Sequence, residues 1–327
     1  MPLFRTIRLG PALLATALAF AGCAGGTWEQ GSFDRTLTVS GPVHIDLSNG
    51  AGGVEIRGGA PRRVRIHAEV RAGGFPFGNP QQRLEDILSH PPIEQNGDTI
   101  RVGKDSRTWR NMSIRYVIET PAESEVESRL GSGEQEVRDV RGPARLSTGS
   151  GAIRASHIAR GAHLTTGSGR IEASDLGDAV RATAGSGAIT LNGVKGEVRA
   201  SAGSGAITLS AAEGRVQLRA ASGSIVVHDA SGDLDVHTAS GRIAVDGNPA
   251  ANSNWELKSV SGLVELSVPQ DASFQLSAKA LSGSIRADLP IAVEEQSRHE
   301  LRARLGSGKA RVQVHTVSGS IRLRGRS

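Results

Sequence analysis

The sequence predicts an all-β chain: one β-solenoid (β-helix) with about 18 residues per coil, behind a small N-terminal cap holding one short helix and a hairpin. Three observations predict it. The octapeptide "AGSGAITL" occurs at Ala184–Leu191 and again, unchanged, at Ala202–Leu209. A Ser-Gly pair recurs at Ser132, Ser150, Ser168, Ser186, Ser204, Ser222 and Ser240, each 18 residues after the last. Aromatic residues are only 3% of the 327 while glycine numbers 42, so any core is thin and filled by Ile, Val, Leu and Ala. A fixed period with glycine at one phase marks stacked units, each completing its apolar face only against its neighbours.

The chain opens on a targeting pattern. Arg5 and Arg8 precede an apolar run from Pro11 to Phe20, and the small residues Ala21 and Gly22 precede Cys23, so residues 1–22 are expected to be a signal peptide. The run is too short to span a membrane as a helix. Cys23 is the only cysteine, which excludes an internal disulfide. "LAFAGC" resembles the lipobox of bacterial lipoproteins, and that resemblance implies a lipidated Cys23 as first residue of the mature chain, with residues 23–35 as tether. Phe20 stands where a lipobox usually has leucine; the rival reading is cleavage after Ala21 and a soluble secreted protein with a free thiol. By the same resemblance Ala24, which is not Asp, points to the outer membrane in a cell that has one.

Residues 36–130 read as the cap and first coils. "LSNGAGGVEIRGG" is an atypical first coil, "RRVRIHAEVRA" alternates as a strand, and "NPQQRLEDIL" places Pro80 at a first helical position. "IEQNGDTIRV" alternates around Asn96-Gly97 as a hairpin, and "SIRYVIET" is another strand. A non-repeating end of this kind covers a terminal rung that would otherwise be an open sheet edge.

Residues 131–327 form the regular solenoid. Ile153, Ile171, Ile189, Ile207, Ile225 and Ile243 make one inward column, and Ala155, Ala173, Leu191, Leu209, Val227 and Val245 make another two residues on. Ala144, Ala162, Val180, Val198, Val216 and Leu234, with Leu146, Leu164, Ala182, Ala200, Leu218 and Val236, supply the opposite side. The spacing of two is the strand period. Glycines at the phase of Gly151 and Gly169 are expected to supply turns that a Cβ would strain. After Ser240 the interval widens to 21 at Ser261 and again at Ser282, with the extra residues in "DGNPAANSN" and "VPQDAS". Ser282 to Ser318 is 36, so residues 290–308 are expected to complete one coil with a long excursion.

"LSNGAGGVEI", the helix-and-hairpin insertion, "IETPAESEVESRLGSG", the "TGSGxI" coils and the closing "VSGSIRLRG" together resemble a bacterial family of adhesin-like β-strand-repeat envelope proteins. The likeness runs from about residue 36 to the end. It implies the architecture and an exported setting, and no reaction.

Composition excludes little else. The formal net charge of +5 falls once Arg5 and Arg8 are removed, and no basic run is interleaved with aromatics, so nucleic acid is not an expected partner. Asp229, Asp233 and Asp235, flanked by His228 and His237, are the densest acidic group, but their phases differ and they read as turn residues. His157 and His163 lie six apart without a His-Glu-x-x-His or cysteine cluster, so no metal site and no cofactor are expected. The Gly-Ser-Gly elements lack the context of a nucleophile elbow. Phe75, Phe77, Trp109 and Tyr116 are assigned to cap packing.

One outward column carries a binding hypothesis: Arg145, His163, Arg181 and Arg199 share a phase and should stack as a basic stripe for acidic polymers. The expected function is that of a non-catalytic, lipid-anchored envelope protein presenting a rigid interaction surface to an envelope polysaccharide or another envelope protein. The alternative is a β-helix enzyme acting on an acidic polysaccharide, which would need a groove of paired carboxylates or a Lys/Arg base.

Overall fold

A computed structural model describes residues 28–74, 78–103 and 110–326. The signal peptide, Cys23, Phe75, Phe77 and Trp109 lie outside the described residues. Among those described, no helix is long and apolar enough to cross a membrane.

Two large sheets face each other across a thin core, one of 14 strands and one of 15. Each regular coil gives one strand to each. The first sheet carries the isoleucine column and is termed the Ile sheet; the second carries Arg145, Arg181 and Arg199 and is termed the Arg sheet. Pairing is parallel with a register of 18: Ile153 lies beside Ile171, Ile171 beside Ile189 and Ile189 beside Ile207. On the other sheet Ala144 lies beside Ala162, then Val180, then Val198. All four apolar columns expected from the sequence are buried. The β-solenoid reading therefore holds, with strands spaced about 4.8 Å along the axis.

A further inward column escapes period-two counting. Asp139, His157, Asp175, Gly193, Ala211 and Asp229, each 18 apart, have left-handed φ near +60°. At each the pairing skips one residue on both strands while the register is kept, and the left-handed residue turns the next side chain inward. Val140, Ile158, Leu176, Val194, Ala212 and Ala230 are buried as a result.

The corner glycines have a different cause from the expected one. Gly151, Gly169 and Gly187 are not left-handed. A Cβ on Gly169 would instead stand 1.5 Å from the carbonyl oxygen of Gly151, and one on Gly187 1.6 Å from that of Gly169. Stacked corners touch backbone to backbone, and only hydrogen fits between them.

The ends depart from sequential stacking. At the C-terminal end the last coil, strands Ala310–Ser318 and Ile321–Arg326, is inserted between the coil of 254–269 and the coil of 274–288. Residues 289–309 do not complete a coil in line; Ala292–Gln296 and Glu300–Leu305 form an antiparallel hairpin against Phe274–Ser282, covering the terminal rung of the Arg sheet. At the other end His44–Ala51 and Val54–Gly58 lie between the coil of 99–120 and the coil of 125–140. Both closures are thus made by a coil held between two others.

The cap follows its local signals. Helix Pro80–Ser89 is N-capped by Asn79, whose Oδ1 accepts from the Gln81 backbone N–H at 2.9 Å. The hairpin pairs Ile93–Asn96 with Thr99–Gly103, so its two-residue turn is Gly97-Asp98, one residue later than expected. Most of the segment assigned to a tether is structured: Trp28–Thr38 pairs antiparallel with Arg63–Gly73.

Tyr116, the only tyrosine of the chain, is fully buried, and its hydroxyl has no hydrogen-bond partner among the described residues. Burial pushes its phenol far above the ordinary value of about 10. Above pH 10 the unfolded chain releases this proton while the folded chain keeps it, so stability is intact below pH 10 and falls as pH rises beyond it. Phenolate absorbance in an alkaline titration is expected to appear only together with loss of the β circular-dichroism signal. A phenolate forming near pH 10 in a chain with native β signal would contradict this burial.

Candidate functional site

The basic column forms as expected. Arg145 lies beside His163, His163 beside Arg181, and Arg181 beside Arg199 on consecutive strands of the Arg sheet. Their side chains alternate with the buried Ala144/Leu146 phase and stand outward, exposed, around a shallow hollow of about 270 Å³. Two of the four are neutralised locally: Arg145 pairs with Glu125 at 3.2 Å and Arg199 with Glu197 at 3.0 Å. Among the described residues His163 and Arg181 have no ion-pair partner. Glu127 bounds the column on one side, and Gln217 then Asp235 on the other. The stripe is therefore four residues long, about 15 Å by strand spacing.

A second outward row, two residues further along each strand, was not visible in the sequence. Arg219, His237, Lys258, His315 and Lys279 lie on adjacent strands towards the C-terminal end. Their spacings of 18 and 21, followed by the out-of-order last coil, hide the row from simple counting. Burial, reinforced by the neighbouring Lys258, holds the His315 imidazole below its ordinary range. Beside this row Val260, Val317 and Leu281 are exposed, and together they border a groove of about 610 Å³.

A groove of about 850 Å³ runs along the corner that carries the left-handed column. Its rim is the left-handed column: His157 Nδ1 is 3.1 Å from Asp139 Oδ1, and its Nε2 is 3.6 Å from Asp175 Oδ2. Asp139 and Asp175 are both exposed. Asp229 lies on the same rim. Asp233 instead accepts the Asn254 backbone N–H at 2.9 Å, and Asp235 stands outward on the Arg sheet. The three therefore do not converge, as their phases implied. His157 is on the corner and His163 on the Arg sheet, so these two do not meet either. The Ser-Gly row lies exposed at the opposite corner.

A family model described as Toastrack DUF4097 matches residues 94–324. No relative among curated proteins matches the chain. Among solved structures, a "putative cell adhesion protein" from Clostridium sporogenes is similar at 10% identity and TM-score 0.28, covering 90% of this chain and 100% of its own. A "putative adhesin" from Parabacteroides distasonis matches at 13% identity and TM-score 0.30, covering 89% and 96%. Another from Bacteroides fragilis matches at 12% identity and TM-score 0.26, also covering 89% and 96%.

Proposed function

From the premise that the chain belongs to the Toastrack DUF4097 family, we propose that it is a non-catalytic protein of the bacterial envelope, anchored through lipid on Cys23, whose Arg sheet binds acidic polymers. One observation carries this reading: Arg145, His163, Arg181 and Arg199 stack in register on a rigid face. A linear polyanion laid along the solenoid axis meets cationic groups at the strand repeat, and several weak contacts add within one chain. The parallel sheet fixes those positions before binding, so little ordering of the protein opposes the contact. The described chain starts at Trp28, five residues after Cys23, on the end strand of the Ile sheet, which supports a reading in which an anchor on Cys23 would leave the Arg face free along its length.

The test is binding of the soluble chain, without its anchor, to an anionic polysaccharide. Binding is expected to weaken with salt, because exposed charges are screened within about 10 Å at 0.1 M. Arg181→Ala combined with Arg199→Ala is expected to weaken it about tenfold, each surface contact contributing about 0.5–1 kcal/mol. Arg154→Ala, on the outer face of the Ile sheet, is expected to leave it unchanged. Binding indifferent to salt, or equal in the double variant, overturns the reading.

A further inference from the structure

Beyond the basic stripe the same outward row turns acidic. Gln217, Asp235, Glu256 and Gln313 lie side by side on consecutive strands of the Arg sheet. Carboxylates directly abreast repel one another, so Asp235 beside Glu256 attracts cations, and Lys258 and His237 already meet one oxygen of each. His237, two residues after Asp235 on the same face, completes the group. One ligand-type atom from each of Asp235, His237 and Glu256 lies within 4.8 Å of the other two.

A separate observation points the same way. Asp235 Oδ1 and His237 Nε2 are shut off from solvent and face each other at 2.6 Å, with no other hydrogen-bond partner for either atom among the described residues. At that distance the two atoms must share one electrophile, a proton or a metal ion.

We propose that Asp235, His237 and Glu256 form a binding site for a divalent transition-metal cation of the zinc class. One imidazole nitrogen with two carboxylate oxygens selects zinc and its neighbours over calcium or magnesium, which prefer all-oxygen shells. Tetrahedral bonds of 2.0–2.2 Å set donor atoms about 3.3 Å apart. The Asp235–His237 pair opens by less than 1 Å to meet this, and Glu256 swings inward. All three side chains are partly exposed, at 26%, 36% and 28%, so rotamer adjustment suffices. Their backbones do not move: Leu234, Val236, Trp255 and Leu257 are buried on the same two strands. Three protein donors leave a fourth position for water or a ligand group.

Lys258 tunes the site. Its ammonium contacts Glu256 Oε1, and that hydrogen bond holds the Glu256 carboxyl below the usual carboxylate range. The lysine thereby competes with a metal for that oxygen. Sequence motifs missed the trio because Glu256 follows Asp235 by 21 residues across the widened loop.

The experiment is calorimetric titration of the tag-free, chelator-treated chain with zinc sulfate. One equivalent is expected to bind, without competition from millimolar magnesium. His237→Ala and Asp235→Asn, both at outward positions, are expected to weaken binding at least tenfold with unchanged melting of the metal-free chain. Lys258→Met is expected to tighten it, an effect that a merely structural ion pair would not produce. Absence of saturable uptake, uptake undiminished in His237→Ala, or no change in Lys258→Met overturns the proposal.

Discussion

Gly187→Ala is expected to lower the stability of the solenoid by about 3 kcal/mol or more. The added Cβ would stand 1.6 Å from the Gly169 carbonyl oxygen and 2.4 Å from its carbonyl carbon. Neither neighbour is a side chain that can swing away; both are backbone, fixed by the ladder hydrogen bonds of Ile171 and Ile189 to the next coil at 2.9 Å. Relief requires the two coils to part at that corner, which strips pairing from both sheets and admits water to the Ile171/Ile189 column. The adjacent Ser186→Ala serves as control, since the serine is exposed and its loss should cost no more than about 0.5 kcal/mol. Denaturant midpoints of the two variants measure the difference. Equal midpoints would mean that the corners are not in contact and that the stacking described above is wrong.

Ending the chain after Lys309 is expected to unfold the C-terminal closure as a unit while sparing the middle coils. In the strand pairing of the described residues, Phe274–Ser282 and Ile285–Asp288 join the rest of the solenoid through the last coil, and the hairpin of Ala292–Leu305 pairs with Phe274–Ser282. The truncation also removes the buried Val312, Val314, Ile321 and Leu323. It leaves Glu265, which is almost fully buried against Arg242 and 3.0 Å from Arg322, short of one partner. Hydrogen exchange is expected to show loss of protection from about residue 270 onward and retained protection over 144–247, because each coil depends on its nearest neighbours. The uncovered rung of 254–269 presents two unpaired strand edges, so concentration-dependent association should follow. By contrast, removing the 18 residues Arg199–Val216 joins Val198 to Gln217 in phase and is expected to give a soluble, cooperatively folding chain. A truncated protein as protected throughout as the intact one would refute the inserted position of the last coil.

Much of this architecture is legible from spacing alone. The seven Ser-Gly pairs fix the register, and the Ile153-to-Ile243 column identifies which side faces inward, because a parallel stack repeats its contacts at the period of the sequence. Three features are not legible, each for a physical reason. The Ile158 column lies behind a left-handed residue, so the strand period of two breaks just before it. The insertion of Ala310–Arg326 between earlier coils leaves the phase of Ser318 intact, and phase carries no information about order along the axis. The Lys258 row and the Asp235–His237–Glu256 trio are assembled across the 21-residue coils, where fixed-offset counting fails. The corner glycines are located correctly by the sequence; at Gly151, Gly169 and Gly187 proximity of stacked carbonyls excludes the Cβ, whereas Gly133, Gly262 and Gly283 at the same phase also carry positive φ. The basic stripe was visible in full, while its partial neutralisation by Glu125 and Glu197 was not, since those glutamates lie on other phases.

The arrangement in which each end is locked by a coil slotted between two others bears on how such a gene can change in length. Duplication of a 54-nucleotide segment in the middle adds one rung and lengthens the molecule by under half a nanometre, touching neither lock. The same event at either terminus would have to rebuild a closure at once, so related chains should differ in reach through their interiors and keep their ends.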